Sequence, residues 1–434
     1  MDWTTVMIIA LAILLVGLAS GMRIFVALAL TGIIVIWVTI GLKQEILIGF
    51  STWRTFNSYA LAAIPMFVFM GELIFRSGVS GKAYNALSPT LDHLPGGLLH
   101  SNVVAGTVFA ACSGSSVASA ATIGRLALPE MEARGYSKGL AMGSIASGGS
   151  LGNLIPPSIH FIIYGIMTRQ SIGKLFIAGI IPGIMMAVLY MTYIAIRVRI
   201  RPQMAPKGKA IPWKNSFMKL LGVWPIFVLA IVVLGSIYGG IATPTEAAGA
   251  GVLGAIIIGL GYRSLSWQTL KESTLGALRT TGFTILILLG AQILGVLLTN
   301  IGALSEMTRW VVSLPLSPLA ILVAILLMYI ILGCFMSGLP VVVVTLPMTF
   351  PVIMSLGYNP IWFGVVIELL IEAGLLTPPV GVNLYVLRGL RPKYPFGEIV
   401  RGMIPFFLLI CLGIIIITVF PALATWLPSI MIGN

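Results

Sequence analysis

Apolar runs of about 20 residues, the length that crosses a bilayer as a helix, recur along this chain from one end to the other. In hydrocarbon every backbone polar group must be satisfied internally, which restricts such a chain to helices or a closed barrel. Runs this long and continuously apolar select helices. Hydrophobic residues make up 58% and charged residues 9%, whereas a soluble domain averages about 25% charged. The 25 Lys+Arg against 12 Asp+Glu give +13, which in a soluble chain would point to nucleic acid. Here the excess lies between the apolar runs, so it marks topology and no nucleic-acid partner is expected. Cys112, Cys334 and Cys411 sit in apolar surroundings, unsuited to a disulfide framework or zinc cluster. The apolar start lacks a basic leader and a cleavage site and reads as a first span.

Full spans are predicted near 4–20, 24–42, 59–76, 139–165, 175–197, 218–239, 243–262, 278–300, 361–387 and 402–427. Two stretches do not fit as single spans. Segment 98–131 is interrupted at Cys112-Ser113-Gly114-Ser115-Ser116, and 317–356 at Gly333 to Pro340. Each has two arms of about 15 residues, reaching ~22 Å at 1.5 Å per residue. That suits a re-entrant hairpin with its tip inside the membrane; two short tilted spans are the alternative. With both termini outside, the inside segments hold 20 of the 25 basic residues, leaving Lys43, Arg54, Arg169, Lys174 and Arg309 outside. The positive-inside rule expects this bias, and it survives only if both hairpins return to the side they entered. Arg197–Lys219, with seven basic residues and three prolines, is then a cytoplasmic connection whose basic character marks topology; attraction of anionic membrane lipid is the lesser alternative.

The halves match at a constant offset of 222 residues: Cys112 with Cys334, Ser115 with Ser337, Gly135-Tyr136 with Gly357-Tyr358, Gly152 with Gly374, Pro156-Pro157 with Pro378-Pro379. This divides the chain into a first repeat 1–198, a linker 199–217 and a second repeat 218–434. Five crossings per half place the repeats in opposite orientations, a recurrent plan of secondary transporters with the site at the midplane.

Irregular backbone is tolerated at membrane depth only where protein or a water-filled cavity satisfies it. Four such places pair up. The tip Ser113-Gly114-Ser115-Ser116, with Thr122 beyond it, faces a break read at Gly148 to Asn153 and closed by Pro156-Pro157-Ser158. Ser337-Gly338 faces Gly374 to Pro379, with Asn383 following. Prolines free carbonyls, and these with hydroxyls and an Asn amide form a hard-oxygen set suited to an alkali cation. Helix N-termini after each break suit an anion. The competing reading is that the small residues only permit close helix packing.

Glu72, Glu246, Glu368 and Glu372 lie in or near spans, with Glu368 and Glu372 one turn apart. Proton relay, cation ligand and structural hydrogen bonding all stay open for them, with the structural role favoured because none falls on a tip. His93, His100 and His160 also read as structural. No phosphate-loop or His-Glu-x-x-His motif occurs. Gly148-Gly149-Ser150-Leu151-Gly152 matches a nucleophile elbow, but within a span and without a preceding strand. The chain therefore reads as a transporter, not an enzyme, and a channel lacks its charged rings or filter repeat.

Ile64-Pro65-Met66-Phe67 with Met70-Gly71-Glu72, Ser113 to Gly124, Leu154 to Ile159, Leu175 to Gly183 and Thr377 to Asn383 together resemble the large membrane subunit of tripartite ATP-independent periplasmic (TRAP) transporters, over nearly the whole chain. The resemblance implies an inverted-repeat elevator fold in a bacterial cytoplasmic membrane, importing an organic acid with sodium. It also implies two partners: a small integral membrane subunit, separate from this chain, and an extracytoplasmic substrate-binding protein. By resemblance, sodium sites fall at Ser113, Gly114, Ser115 and Ser116 with Gly152, Asn153 and Pro156, and at Ser337 and Gly338 with Thr377 and Pro378. Substrate contacts are expected at Ser116, Thr122, Asn153, Pro157, Pro379 and Asn383. Many members carry an acidic residue where this chain has Ser337, so the attraction for a cation at the second tip is weaker here.

Overall fold

The computed structural model describes residues 3–39, 41, 45–206, 221–336 and 338–431. Every regular element among them is a helix. Among the described residues, seven helices are long and apolar enough to cross a membrane. Others expected as spans, such as Trp3–Ala19, Ile24–Thr39 and Trp224–Tyr238, are apolar but shorter. Large apolar side chains face outward along these helices, Ile8, Val16 and Ile231 each being about two-thirds exposed, as hydrocarbon surroundings allow.

The first hairpin is Leu98–Ser113 followed by Ser116–Ala133, and the second is Pro318–Phe335 followed by Gly338–Ser355. Their arms run 16 to 18 residues, a little longer than expected. The first broken helix is Lys138–Leu154 then Ile159–Thr168; the second is Pro360–Leu376 then Val382–Leu390. Ser116–Ala133 and Gly338–Ser355 start and end 222 residues apart, as do Lys138–Leu154 and Pro360–Leu376. Both Pro-Pro bonds are cis.

The two broken helices form the centre. Lys138–Leu154 buries every residue after Lys138, and Pro360–Leu376 every residue after Pro360. A helix buried all round needs neighbours on all sides, and small residues provide the room. A Cβ on Gly148 would lie 2.5 Å from the Asn102 carbonyl, one on Gly149 2.7 Å from Ala120 Cβ, and one on Gly374 2.8 Å from the Gly333 carbonyl. Each first segment thus lies directly against its hairpin.

Three expectations change. The stretch Gly148 to Gly152 is helical, not a break; the helix continues to Leu154 and stops where proline removes the next donors. Two packed hairpin arms outweigh the roughly 1 kcal/mol that each glycine costs a helix. The span read at 278–300 belongs to a 34-residue helix, Trp267–Asn300. The span read at 402–427 is divided into Phe396–Val419 and Ala422–Met431, with Pro421 between them.

Candidate functional site

The first tip and the first break touch. Gly114 turns the tip with φ +54, and a Cβ there would lie 2.8 Å from the Pro157 carbonyl. Only glycine takes that conformation freely at so close an approach. Ser115 caps the returning arm, its Oγ accepting from the Ala118 amide at 3.4 Å. Asn153 reaches across from the broken helix, and its Oδ1 accepts from the Ser116 amide at 3.1 Å. A Cβ on Gly152 would lie 3.2 Å from Ser119 Oγ and 3.3 Å from the Ser115 carbonyl. Pro156 and Pro157 cannot donate to the carbonyls four residues back, so those of Gly152 and Asn153 lose their helical partners. Ser113, Gly114, Ser115, Ser116, Gly152, Asn153, Pro156 and Pro157 are therefore gathered in one place. The Ser113 side chain lies outside the described atoms.

At the second break the helix ends at Leu376. Thr377 Oγ1 donates to the Ala373 carbonyl at 2.6 Å, and the Val380 amide donates to the Cys334 carbonyl at 2.9 Å. The latter bond ties the loop carrying Pro378 and Pro379 to the end of the first arm of its hairpin. Gly338 opens the returning arm, packed against Ile371 and near the His160 ring. Ser337 lies outside the described residues. Asn383 is fully buried, and neither its amide nitrogen nor its oxygen has a hydrogen-bond partner among the described residues, an arrangement that is costly for a buried amide. Thr122 is half-buried on Ser116–Ala133. That arm packs against Val382–Leu390, because a Cβ on Gly124 would lie 2.8 Å from both Leu387 and Leu390. The helices carrying Thr122 and Asn383 are thereby neighbours.

The four carboxylates divide. Glu246 forms a capping box with Thr243 at an exposed helix start. Glu72 pairs with Arg76 at 2.6 Å, and Arg76 also reaches Glu272 at 3.1 Å. Both are thus held by local ion-pair and capping contacts away from the tips. Glu368 and Glu372 are buried in the central helix. Glu368 Oε1 lies 3.0 Å from His160 Nδ1, joining the second broken helix to the helix after the first break. Glu372 faces the Leu154 backbone at the end of the first broken helix, and the Tyr190 hydroxyl faces Ser150. The sequence reading left the His160–Glu368 contact unseen, since 208 residues separate its members. It also missed Asn102, which accepts from the Tyr84 hydroxyl at 2.8 Å and donates to Ser144 Oγ at 2.9 Å. A polar run Ser101-Asn102 inside a hairpin arm was the available signal.

Hairpins packed on broken helices, with oxygen-rich breaks at the centre of a set of long apolar helices, define a polytopic helical membrane protein. Solved structures agree at the level of fold. The Alcanivorax borkumensis YdaH transporter matches with TM-score 0.53 and 16% identity over 88% of this chain and 90% of that one. Neisseria gonorrhoeae MtrF, described among antimetabolite efflux pumps, matches with TM-score 0.57 and 14% identity over 90% and 85%.

Sequence relatives narrow the class. Residues 11–423 match the family described as tripartite ATP-independent periplasmic transporter, DctM component. The C4-dicarboxylate TRAP transporter large permease protein DctM of Pseudomonas aeruginosa is 34% identical, covering 87% of this chain and 88% of the relative. The 2,3-diketo-L-gulonate large permease protein YiaN of Escherichia coli is 33% identical over 95% and 96%. The sialic acid permease protein SiaT of Haemophilus influenzae is 30% identical over 98% and 68%. The chain belongs to the TRAP transporter large permease family and is a transport subunit, not an enzyme.

Proposed function

We propose that this subunit imports an organic acid by sodium symport, in an elevator motion of the hairpins and broken helices against the other spans. The observation that carries this reading is the pairing of the first tip with the first break through Gly114, Asn153 and the prolines; 222 residues on the Pro-Pro pair recurs, and there the Val380 amide bonds the Cys334 carbonyl of the second hairpin. Sodium binding at the two tip-and-break pairs would order the substrate groups, Asn383 and Thr122 among them, a coupling shared by both ligands. The halves act as inverted repeats, both termini lie outside, and the basic linker lies in the cytoplasm of a bacterial inner membrane. C4-dicarboxylate, diketogulonate, sialic acid and isethionate, named for the relatives, support an organic acid as the substrate. A small membrane subunit braces the outer helices, and an extracytoplasmic binding protein delivers the acid.

The test is reconstitution of the two membrane subunits in liposomes, with sodium and pH gradients varied separately and the binding protein present or omitted. Saturable uptake driven by sodium and dependent on the binding protein is expected. Uptake driven by protons with sodium absent, or robust uptake without the binding protein, would instead make this an ordinary stand-alone or proton-coupled carrier.

A further inference from the structure

A cavity of about 640 Å³ lies away from the tips, and none of the described tip or break residues lines it. It opens where five elements meet: the helix Glu45–Phe56, the end of Ile159–Thr168, the last turns of Trp267–Asn300, the start of Ala303–Ser313 and the middle of Gly338–Ser355. Its size falls within the ~300–1,000 Å³ of small-molecule pockets. Gln292, Thr299, Asn300 and Thr55 supply hydrogen-bonding groups, and Phe350 and Met167 apolar wall. Arg169 is the one charged residue among the described residues lining it, and none of those is a carboxylate.

Three facts set Arg169 apart. Its side chain is exposed and takes no hydrogen-bond or ion-pair partner among the described residues, whereas Arg309, nearby in sequence to the same wall, is taken by Glu306. It ends its helix in the left-handed conformation, φ 57, where Gly or Asn is the easier choice. It also stands among the few basic residues on the face that the charge bias leaves nearly free of them. Charge at the helix C-terminus favours a cation there, but that accounts for neither the missing counter-ion nor the cavity in front of it.

We propose that this cavity is a loading subsite for the organic anion, with Arg169 receiving one carboxylate before the acid passes to the breaks. Guanidinium suits this task because its planar fork matches a carboxylate in two parallel hydrogen bonds. The helix Ile159–Thr168 joins the subsite to the first break, ten residues or about 15 Å away. The cavity also lies between the returning arm of the second hairpin and the long helix Trp267–Asn300. Relative motion of those two elements would open or close it. The proposal rests on the organic-acid import reading and adds to it a first contact on the delivery side.

Two measurements test it. A cysteine at Gln292, in a chain whose three native cysteines are replaced, is reacted with an anionic and a cationic methanethiosulfonate of similar size. The anionic-to-cationic rate ratio should fall at least about fivefold on Arg169→Asn, which keeps the left-handed helix end, and persist on Arg169→Lys. An unchanged ratio in Arg169→Asn would show that Arg169 gives the cavity no anion preference and would overturn the proposal. In the reconstituted complex, Arg169→Asn should raise the KM for the imported acid about tenfold with kcat nearly intact, and Arg169→Lys should recover part of the loss. Wild-type KM in Arg169→Asn would also overturn it. If the wild-type complex imports no acid under a sodium gradient, the import reading fails by itself, while the modification ratio still decides whether the cavity selects anions.

Discussion

Gly149→Ala tests whether the proposed first sodium site depends on the close approach of hairpin and broken helix. A Cβ at 149 would meet Ala120 Cβ at 2.7 Å and the Ala120 Cα and amide nitrogen at 2.8 Å. None of these atoms can rotate away. Ordinary contact begins near 3.4 Å, so the returning arm must retreat by about 0.7 Å. Ala120 lies one turn from Ser116, whose amide donates to Asn153 at 3.1 Å. The same retreat stretches that bond to about 3.8 Å, past hydrogen-bond range. Overpacking costs roughly 1–3 kcal/mol, and the stranded amide about 1 kcal/mol more. Thermal unfolding of the purified subunit should therefore begin lower, and stabilisation by sodium over choline should shrink. Each ~1.4 kcal/mol of distortion raises half-saturating sodium tenfold. Gly249→Ala is the control, because a Cβ there meets nothing within 4 Å. If Gly149→Ala keeps wild-type stability and sodium response, the site does not depend on this contact and the packing argument is wrong.

Ser115→Ala and Ser337→Ala should each raise the sodium needed for half-maximal uptake several-fold, the loss of one oxygen contact being worth ~1 kcal/mol; unchanged sodium dependence in both would reduce the tips to packing devices. His160→Ala should destabilise the protein by about 3 kcal/mol by stranding buried Glu368, and His160→Ala combined with Glu368→Leu should recover part of that loss in a thermal melt. Cysteine labelling from each side should find Lys209 inside and both Asn359 and Asn434 outside. An inside label at 359 would argue against the second re-entrant hairpin, and one at 434 against the opposed repeats.

Membrane class, helical content, the two hairpins and the two Pro-Pro breaks were legible in the sequence because each is written in consecutive residues. Hydropathy accumulates along a run, and a proline removes its own donor wherever it stands. The 222-residue correspondence was legible for the same reason, as a comparison of one local pattern with another. The role of the glycines was not. Gly148-Gly149 reads alike as a break or as a packing face, and only the positions of Asn102, Gly106 and Ala120 make it the latter. Nor could the sequence separate Asn153 from Asn383. Asn153 is engaged by the Ser116 amide, while Asn383 has no hydrogen-bond partner among the described residues. Glu72 and Glu368 looked equivalent until Arg76 and His160 were placed beside them. Arg169 looked like one more exception to the charge bias until the cavity formed around it from segments more than 100 residues apart. Packing and pairing of this kind belong to the space between segments, which only the tertiary structure brings into being.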